Sequence, residues 1–288
     1  MLTDAHCHPF DLNKVFPDAE QERRRLGVLC AASTSSLEEF EYHETLSQKA
    51  KEDGAAGLLC CFAIHPQLPA YLYDSKFSSS GEELGKKKNS GIEERLSLLE
   101  SLAVQGRLAA VGETGFDLYD AKLRETEKIQ DEIFAVHAET AIRHDLPLVL
   151  HVRKAMHKVF AAEKELKKCR AVIFHSWPGT AGEGESLLKR GINAYFSFGT
   201  TIMLNHRQAM HCCSVFPIER LLLETDAPYQ PLRGTSRDYS AWEDLPRILD
   251  AAAALRKTAG SPGSDAGELE GIVEGNFRRV FNYPALTS

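Results

Sequence analysis

The chain has 288 residues, 43% of them hydrophobic, enough to bury one large core, so a single domain over residues 1–288 is expected. Its longest apolar stretches, such as Gly57 to Ile64 and Leu146 to Leu150, fall far short of the ~20 residues a bilayer span requires, which excludes a transmembrane helix. A formal charge of −7 excludes a broad basic surface that coats nucleic acid and leaves room only for a local basic groove.

The first element is a strand candidate, Leu2 to His6, running into a turn at Pro9. It leads through Asp4-Ala5-His6-Cys7-His8. Residues two apart on an extended strand face the same side, so His6 and His8 present two imidazoles together, half of a metal site. A carboxylate just ahead of such a pair suits an acceptor for a ring N–H or a bridging group, the role expected of Asp4. A lone His-x-His is as often a polar strand end as a ligand pair, so the weight falls on the rest of the chain. Met1 is followed almost at once by this stretch, with no basic and apolar leader, and a cytoplasmic location is expected.

Seven more strand candidates follow: Gly27 to Ala32, Gly57 to His65, Leu108 to Glu113, Leu146 to His151, Ala171 to His175, Asn193 to Ser197 and Leu221 to Asp226. Helical patterns separate them, among them Ser36 to Asp53, Ile92 to Gln105, Arg124 to His144, Lys154 to Lys168 and Gly182 to Arg190. Continuous apolar strands alternating with helices predict a parallel sheet covered by helices, and eight such units favour a (β/α)8 TIM barrel over an open sheet. Pro66 to Gly91, with Ser78-Ser79-Ser80-Gly81 and Lys86-Lys87-Lys88, reads as a long mobile surface loop, a solvated insertion in preference to a lid over the rim. Ala259 to Ser264 reads as a hinge between two helices rather than a domain boundary. The last helix, Glu268 to Phe281, carries Ile272, Val273, Phe277, Val280 and Phe281 at helical spacing and is expected to close the bottom or side of the barrel. Seven cysteines, with Cys60-Cys61 and Cys212-Cys213 adjacent, do not suit a disulfide framework and predict reduced thiols.

The polar residues fall where chemistry would be placed. His6, His65, Glu113, His151, His175 and Asp226 each stand at the C-terminal end of a strand candidate, the rim that carries catalysis in such barrels. One buried ionisable group at a strand end is more often a satisfied hydrogen-bonding partner. Six converging groups are costly to bury unless a metal compensates them, so a metal centre is the favoured reading.

These local sequences resemble the TatD-like family of metal-dependent deoxyribonucleases. The matches are Asp4 to Pro9, Ile64-His65-Pro66, Gly112 to Asp117, His151-Val152-Arg153, Phe174-His175-Ser176, Glu224 to Tyr229 and Asn276 to Phe281, in order along the whole chain. The resemblance implies a (β/α)8 hydrolase holding two divalent cations, Mg2+, Zn2+ or Mn2+. Carried over by residue, it puts His6, His8, Glu113 and Asp226 on one cation and Glu113, His151 and His175 on the other, with Glu113 as the bridge. Six ligands exceed one tetrahedral zinc and suit a pair. Asp226 is the expected proton acceptor, His65 a phosphate contact or electrostatic stabiliser, and Arg153 and Arg233 substrate contacts.

The activity implied is 3′–5′ exonuclease cleavage of single-stranded DNA or another phosphodiester, by a monomer with no obligate protein partner. An amidohydrolase-type reaction, such as deacylation of mischarged aminoacyl-tRNA, is the alternative, and a non-catalytic metal-stabilised scaffold ranks last. Two departures from the family loosen the substrate reading. Gln230 to Tyr239 lacks the usual Asn-Glu-Pro segment, and Ser176-Trp177-Pro178-Gly179 replaces a Cys-Phe-Ser-Gly turn, with Trp177 either stacking on a base or capping the barrel.

Overall fold

Alternation along each strand divides the core in two. In Leu29-Cys30-Ala31-Ala32, Leu29 and Ala31 join one apolar cluster, while Cys30 and Ala32 join another. Ile173, Tyr195 and Leu222 belong with Leu29, whereas their strand neighbours Val172, Phe174, Ala194, Phe196, Leu221 and Leu223 belong with Cys30. A sheet that buries both faces in this way is a barrel wall, with the small cluster inside and the large one under the helices.

A computed structural model describes residues 1–72 and 81–284, with the backbone alone over 81–90. The strands are β1 (Thr3–Cys7), β2 (Leu29–Thr34), β3 (Leu58–Phe62), β4 (Ala110–Asp117), β5 (Leu148–Arg153), β6 (Val172–Phe174), β7 (Ala194–Phe198) and β8 (Leu221–Leu223). They form one parallel sheet in sequence order, each paired with the next, as expected of a (β/α)8 barrel.

The seam between β8 and β1 is closed past the end of β8. Asp226 N donates to His6 O (3.0 Å), His8 N donates to Ala227 O (2.7 Å), and the buried Asp4 carboxylate accepts from Thr225 N (3.0 Å) and Thr225 Oγ1 (2.6 Å). This corrects the role expected of Asp4, which touches no imidazole nitrogen and instead staples the barrel shut. Burial pushes its carboxyl up to about 7, against the Thr225 donors.

The helix Ala266–Phe281 closes the N-terminal end. Phe277, Val280 and Phe281 enter the inner cluster with Ala5, Leu29 and Leu222, and Asn276 Nδ2 donates to Ile218 O (2.8 Å) and Leu221 O (2.9 Å) where β8 begins.

Two expectations need correction. Most of Pro66 to Gly91 is not an unstructured insertion: Leu68–Leu72 and Gly81–Val104 are helical, and Leu68 and Leu72 pack with Ile64, Ile92 and Ile133. Residues 73–80 of that stretch lie outside the described residues. The helix expected over Lys154 to Lys168 begins later and is split into Met156–Ala161 and Glu163–Leu166, because Lys154 is left-handed (φ 54°) and cannot start it. Nothing in the structure explains the break at Ala162. No described helix is long and apolar enough to cross a membrane, and all seven cysteines are free and buried.

Candidate metal centre at the barrel mouth

Two register irregularities aim side chains into the mouth. One lies between Asp4 and Cys7 on β1, the other between Val111 and Thr114 on β4, and they bracket His6 and Glu113. On β5 the inward parity is regular, so Val149 fills the barrel and His151 and Arg153 follow it upward on the same side. Gly115 lets β4 lie hard against β5: a Cβ there would meet His151 O at 2.2 Å, and its φ of +128° suits glycine.

Glu113, 5% exposed, sits at the centre and uses its two oxygens differently. Oε2 lies 3.3 Å from His6 Nε2 and 3.7 Å from His8 Nε2. Oε1 lies 2.9 Å from His151 Nδ1, 2.9 Å from His175 Nε2 and 3.4 Å from His65 Nε2. Asp226 Oδ1 joins the first group, 3.4 Å from His8 Nε2 and 3.6 Å from His6 Nε2. The paired imidazole nitrogens are themselves close, 3.1 Å for His6 and His8 and 3.3 Å for His151 and His175.

The far sides of the rings are also held. His6 Nδ1 is 3.2 Å from Ser33 Oγ, His151 Nε2 is 3.0 Å from Asp117 Oδ2, and His175 Nδ1 is 3.4 Å from Glu224 Oε1. Gln67 Nε2 donates to Asp117 Oδ2 (2.7 Å), and Ser176 N donates to Glu224 Oε1 (2.7 Å). Backing partners of this kind orient a ligand imidazole and choose its tautomer. On the other side of the mouth, Gln230 Nε2 donates to Asp226 Oδ2 (2.6 Å).

Electrostatics follow from this packing. Burial alone would push the carboxyls of Glu113 and Asp226 up, yet the surrounding imidazoles hold Glu113 well below and Asp226 below the usual range. These two carboxylates, with Glu224 and Asp117 behind the rings, raise histidines against their burial: Glu113 and Glu224 raise His175, Asp117 and Glu113 raise His151, and Asp226 raises His8. Burial lowers His6 and His65. Asp117, opposed by its burial, is brought down to about 2 by His151 and Gln67.

These buried carboxylates draw positive charge to the mouth, and the donor set fits divalent cations. Ligands at ~2.0–2.2 Å from one ion stand roughly 3–3.6 Å from one another, close to the spacings found around both oxygens of Glu113. Three donor groups, His6–His8–Glu113, His6–His175–Asp226 and His65–Glu113–His151, have ligand atoms within 4.8 Å of one another.

The structure thus brings together His6, His8, His65, Glu113, His151, His175 and Asp226. An open cavity of about 940 Å³ lies above them, and Arg153 lines it. Arg233 is exposed and is not among the described residues that line the cavity. Trp177 borders the cavity but is only 3% exposed and makes T-shaped contacts with Phe174, Phe196 and Phe216, so its ring belongs mainly to the core. Sequence reasoning missed Asp117, Glu224, Ser33, Gln67 and Gln230. The first two were in view, at the ends of Gly112 to Asp117 and Glu224 to Asp226, whereas the others carry no spacing signal.

Histidines and carboxylates converging on the C-terminal mouth of a (β/α)8 barrel define a metal-dependent hydrolase. The chain belongs to the TatD related DNase family, whose model matches residues 3–282. A relative from Buchnera aphidicola, described as an uncharacterized metal-dependent hydrolase, is 30% identical over 247 residues, 81% of each chain. A protein from Erwinia tasmaniensis named 3′-5′ ssDNA/RNA exonuclease TatD is 30% identical over 198 residues, covering 66% of this chain and 72% of that one. Among solved structures, the TatD homolog YjjV from Escherichia coli superposes with a TM-score of 0.77 over 98% of both chains, and at 23% identity that likeness is one of fold.

Proposed function

We propose that this protein is a two-cation phosphodiesterase that removes nucleotides from the 3′ end of single-stranded DNA. The observation that carries the reading is the divided use of Glu113, one oxygen facing His6 and His8 and the other facing His151, His175 and His65. His6, His8, Asp226 and Glu113 Oε2 would hold one divalent cation, and His151, His175 and Glu113 Oε1 the other. Bound there, two such ions lower the pKa of water and neutralise the charge that develops on a phosphodiester in displacement.

The chain's own groups do the rest. Asp226, kept ionised by its neighbours, is available to accept a proton at the mouth, and the Gln230 amide fixes its second oxygen. His65, whose Nδ1 accepts from Gln67 N (3.2 Å), turns Nε2 toward the mouth, where it can meet a phosphate oxygen. Arg153 reaches over the cavity as a phosphate contact. The nucleic-acid substrate is further supported by the exonuclease name borne by the Erwinia tasmaniensis relative.

The test uses purified, metal-stripped protein given 5′-labelled single-stranded DNA and then Mg2+, Mn2+ or Zn2+ in turn. A ladder of products shortened from the 3′ end, present only with a cation, is expected. Absence of cleavage with all three ions, alongside release of the amino acid from aminoacyl-tRNA, would move the protein to ester hydrolysis.

A further inference from the structure

We propose that Tyr119, Arg153 and Lys154 form a second phosphate subsite, which takes the phosphate next to the one being cleaved and so favours polynucleotides over isolated diesters. The inference rests on the phosphodiesterase reading above and adds to it where the uncleaved part of the substrate lies.

The first observation is direction. Arg153 stands two residues beyond His151 on the same inward parity, so the chain rise places it ~7 Å further up the mouth. The ladder pairs Asp117 with Arg153, which sets Tyr119, two residues past Asp117, beside it.

The second observation is backbone geometry. Consecutive residues of a strand point to opposite sides, yet the Arg153 guanidinium carbon lies 3.6 Å and the Lys154 ammonium 4.3 Å from the centroid of the same Tyr119 ring. Lys154 meets this by leaving the strand in the left-handed conformation, φ 54°, uncommon for a residue with a side chain. Its Nζ also donates to Tyr119 O (3.5 Å). A ring holding two cations reduces the freedom each would lose on meeting an anion.

The third observation is the missing counter-charge. Basic residues elsewhere on the chain are neutralised: Lys14 by Asp11, Lys158 by Glu127 and Asp131, Arg237 by Glu243 and Asp244. Arg153 and Lys154 are both exposed and have no acidic partner among the described residues, in a chain whose net charge is −7. Two adjacent like charges left unpaired and gathered onto one ring call for an anion from outside. A guanidinium fork beside an ammonium suits phosphate oxygens. All three residues line the cavity that contains Glu113 and His151.

The test compares kcat/KM for a single-stranded tetranucleotide with kcat/KM for bis(p-nitrophenyl) phosphate, which has no second phosphate. The variants are Lys154→Asn, chosen because asparagine tolerates the left-handed backbone, Arg153→Gln and Tyr119→Leu. In each, the tetranucleotide-to-diester ratio is expected to fall about ten-fold, the loss of roughly one charge-assisted contact. Ratios equal to the parent's would overturn the subsite. Should the parent cleave neither substrate, the phosphodiesterase reading itself has failed. Anisotropy of a labelled tetranucleotide on metal-stripped protein then decides the subsite alone: weaker binding by Lys154→Asn supports it, and unchanged binding overturns it.

Discussion

Glu113 is the residue on which the mouth depends most, because each of its two carboxylate oxygens faces its own set of histidines. Glu113→Gln replaces one of those oxygens with an amide that cannot bind a cation, so metal content measured by elemental analysis should fall further than in His65→Ala. Equal metal in the two variants would show that Glu113 does not bridge. Asp226 is distinguished by where its oxygens point, one to His6 and His8 and one to Gln230. Asp226→Asn should lose ~100- to 10,000-fold in kcat at saturating metal while still binding single-stranded DNA, the effect of losing a general base. Recovery to near the parent rate in excess metal would leave Asp226 a ligand only. The histidines of the mouth, Glu113 and Asp226 were legible because strand periodicity brings residues at the ends of apolar runs to one rim, whereas Asp117 and Glu224, which back the histidines, were not singled out. Ser33 and Gln67 were not, since a hydrogen bond between residues far apart in sequence leaves no trace in local spacing, and Gln230, though only four residues past Asp226, lies beyond the strand where no periodicity points its amide back.

Most strands were legible as elements because they are buried on two faces and read as short apolar runs, whereas β1, Thr3–Cys7, is mostly polar and was marked by its His-x-His pair. Their ends were less so. The run Leu221 to Asp226 leaves the ladder after Leu223, because Thr225 turns its N–H to Asp4 and Asp226 is left-handed (φ 55°). Gly57 to His65 likewise ends as a strand at Phe62. The seam that replaces the last ladder joins two backbone hydrogen bonds to the Asp4 carboxylate, and the share of the side chain can be tested by two substitutions at Asp4. Asp4→Ala leaves Thr225 N, Thr225 Oγ1 and His6 N without their buried acceptor and should cost about 3 kcal/mol. Asp4→Asn keeps one oxygen for the two N–H groups and offers its amide to Thr225 Oγ1, so it should cost less than about 1 kcal/mol. Urea unfolding measures both, and equal losses would mean that Asp4 contributes by charge rather than by these hydrogen bonds.

The whole molecule is acidic, and its affinity for nucleic acid should reflect that. With one phosphate met jointly by Arg153 and Lys154 in the proposed subsite, the logarithm of the binding constant of metal-stripped protein for single-stranded DNA should fall with the logarithm of salt at a slope of about −0.7. A slope steeper than about −4 would point to an extended basic surface. Stability has its own dependence on pH, set by histidines away from the mouth as well as in it. His43, which accepts from Phe10 N (3.1 Å), and His137, which meets Thr114 Oγ1 (2.5 Å) and Ile64 N (3.4 Å), are both buried, and burial holds each down to about 3, from 6.5. In the folded chain they stay neutral where the unfolded chain takes up protons. Their contribution is therefore intact above pH 6.5 and is lost as pH falls from there toward 3, by up to about 1.4 kcal/mol per pH unit for each. Carboxylates titrate over part of the same window, so the measurement is a difference: urea midpoints of the parent and of His43→Gln, whose side-chain oxygen can still accept from Phe10 N, compared between pH 7 and pH 5. The variant should lose less stability over that interval than the parent. Parallel losses would mean that His43 takes up its proton within the folded protein, with water reaching α-helical residues now packed against Phe10.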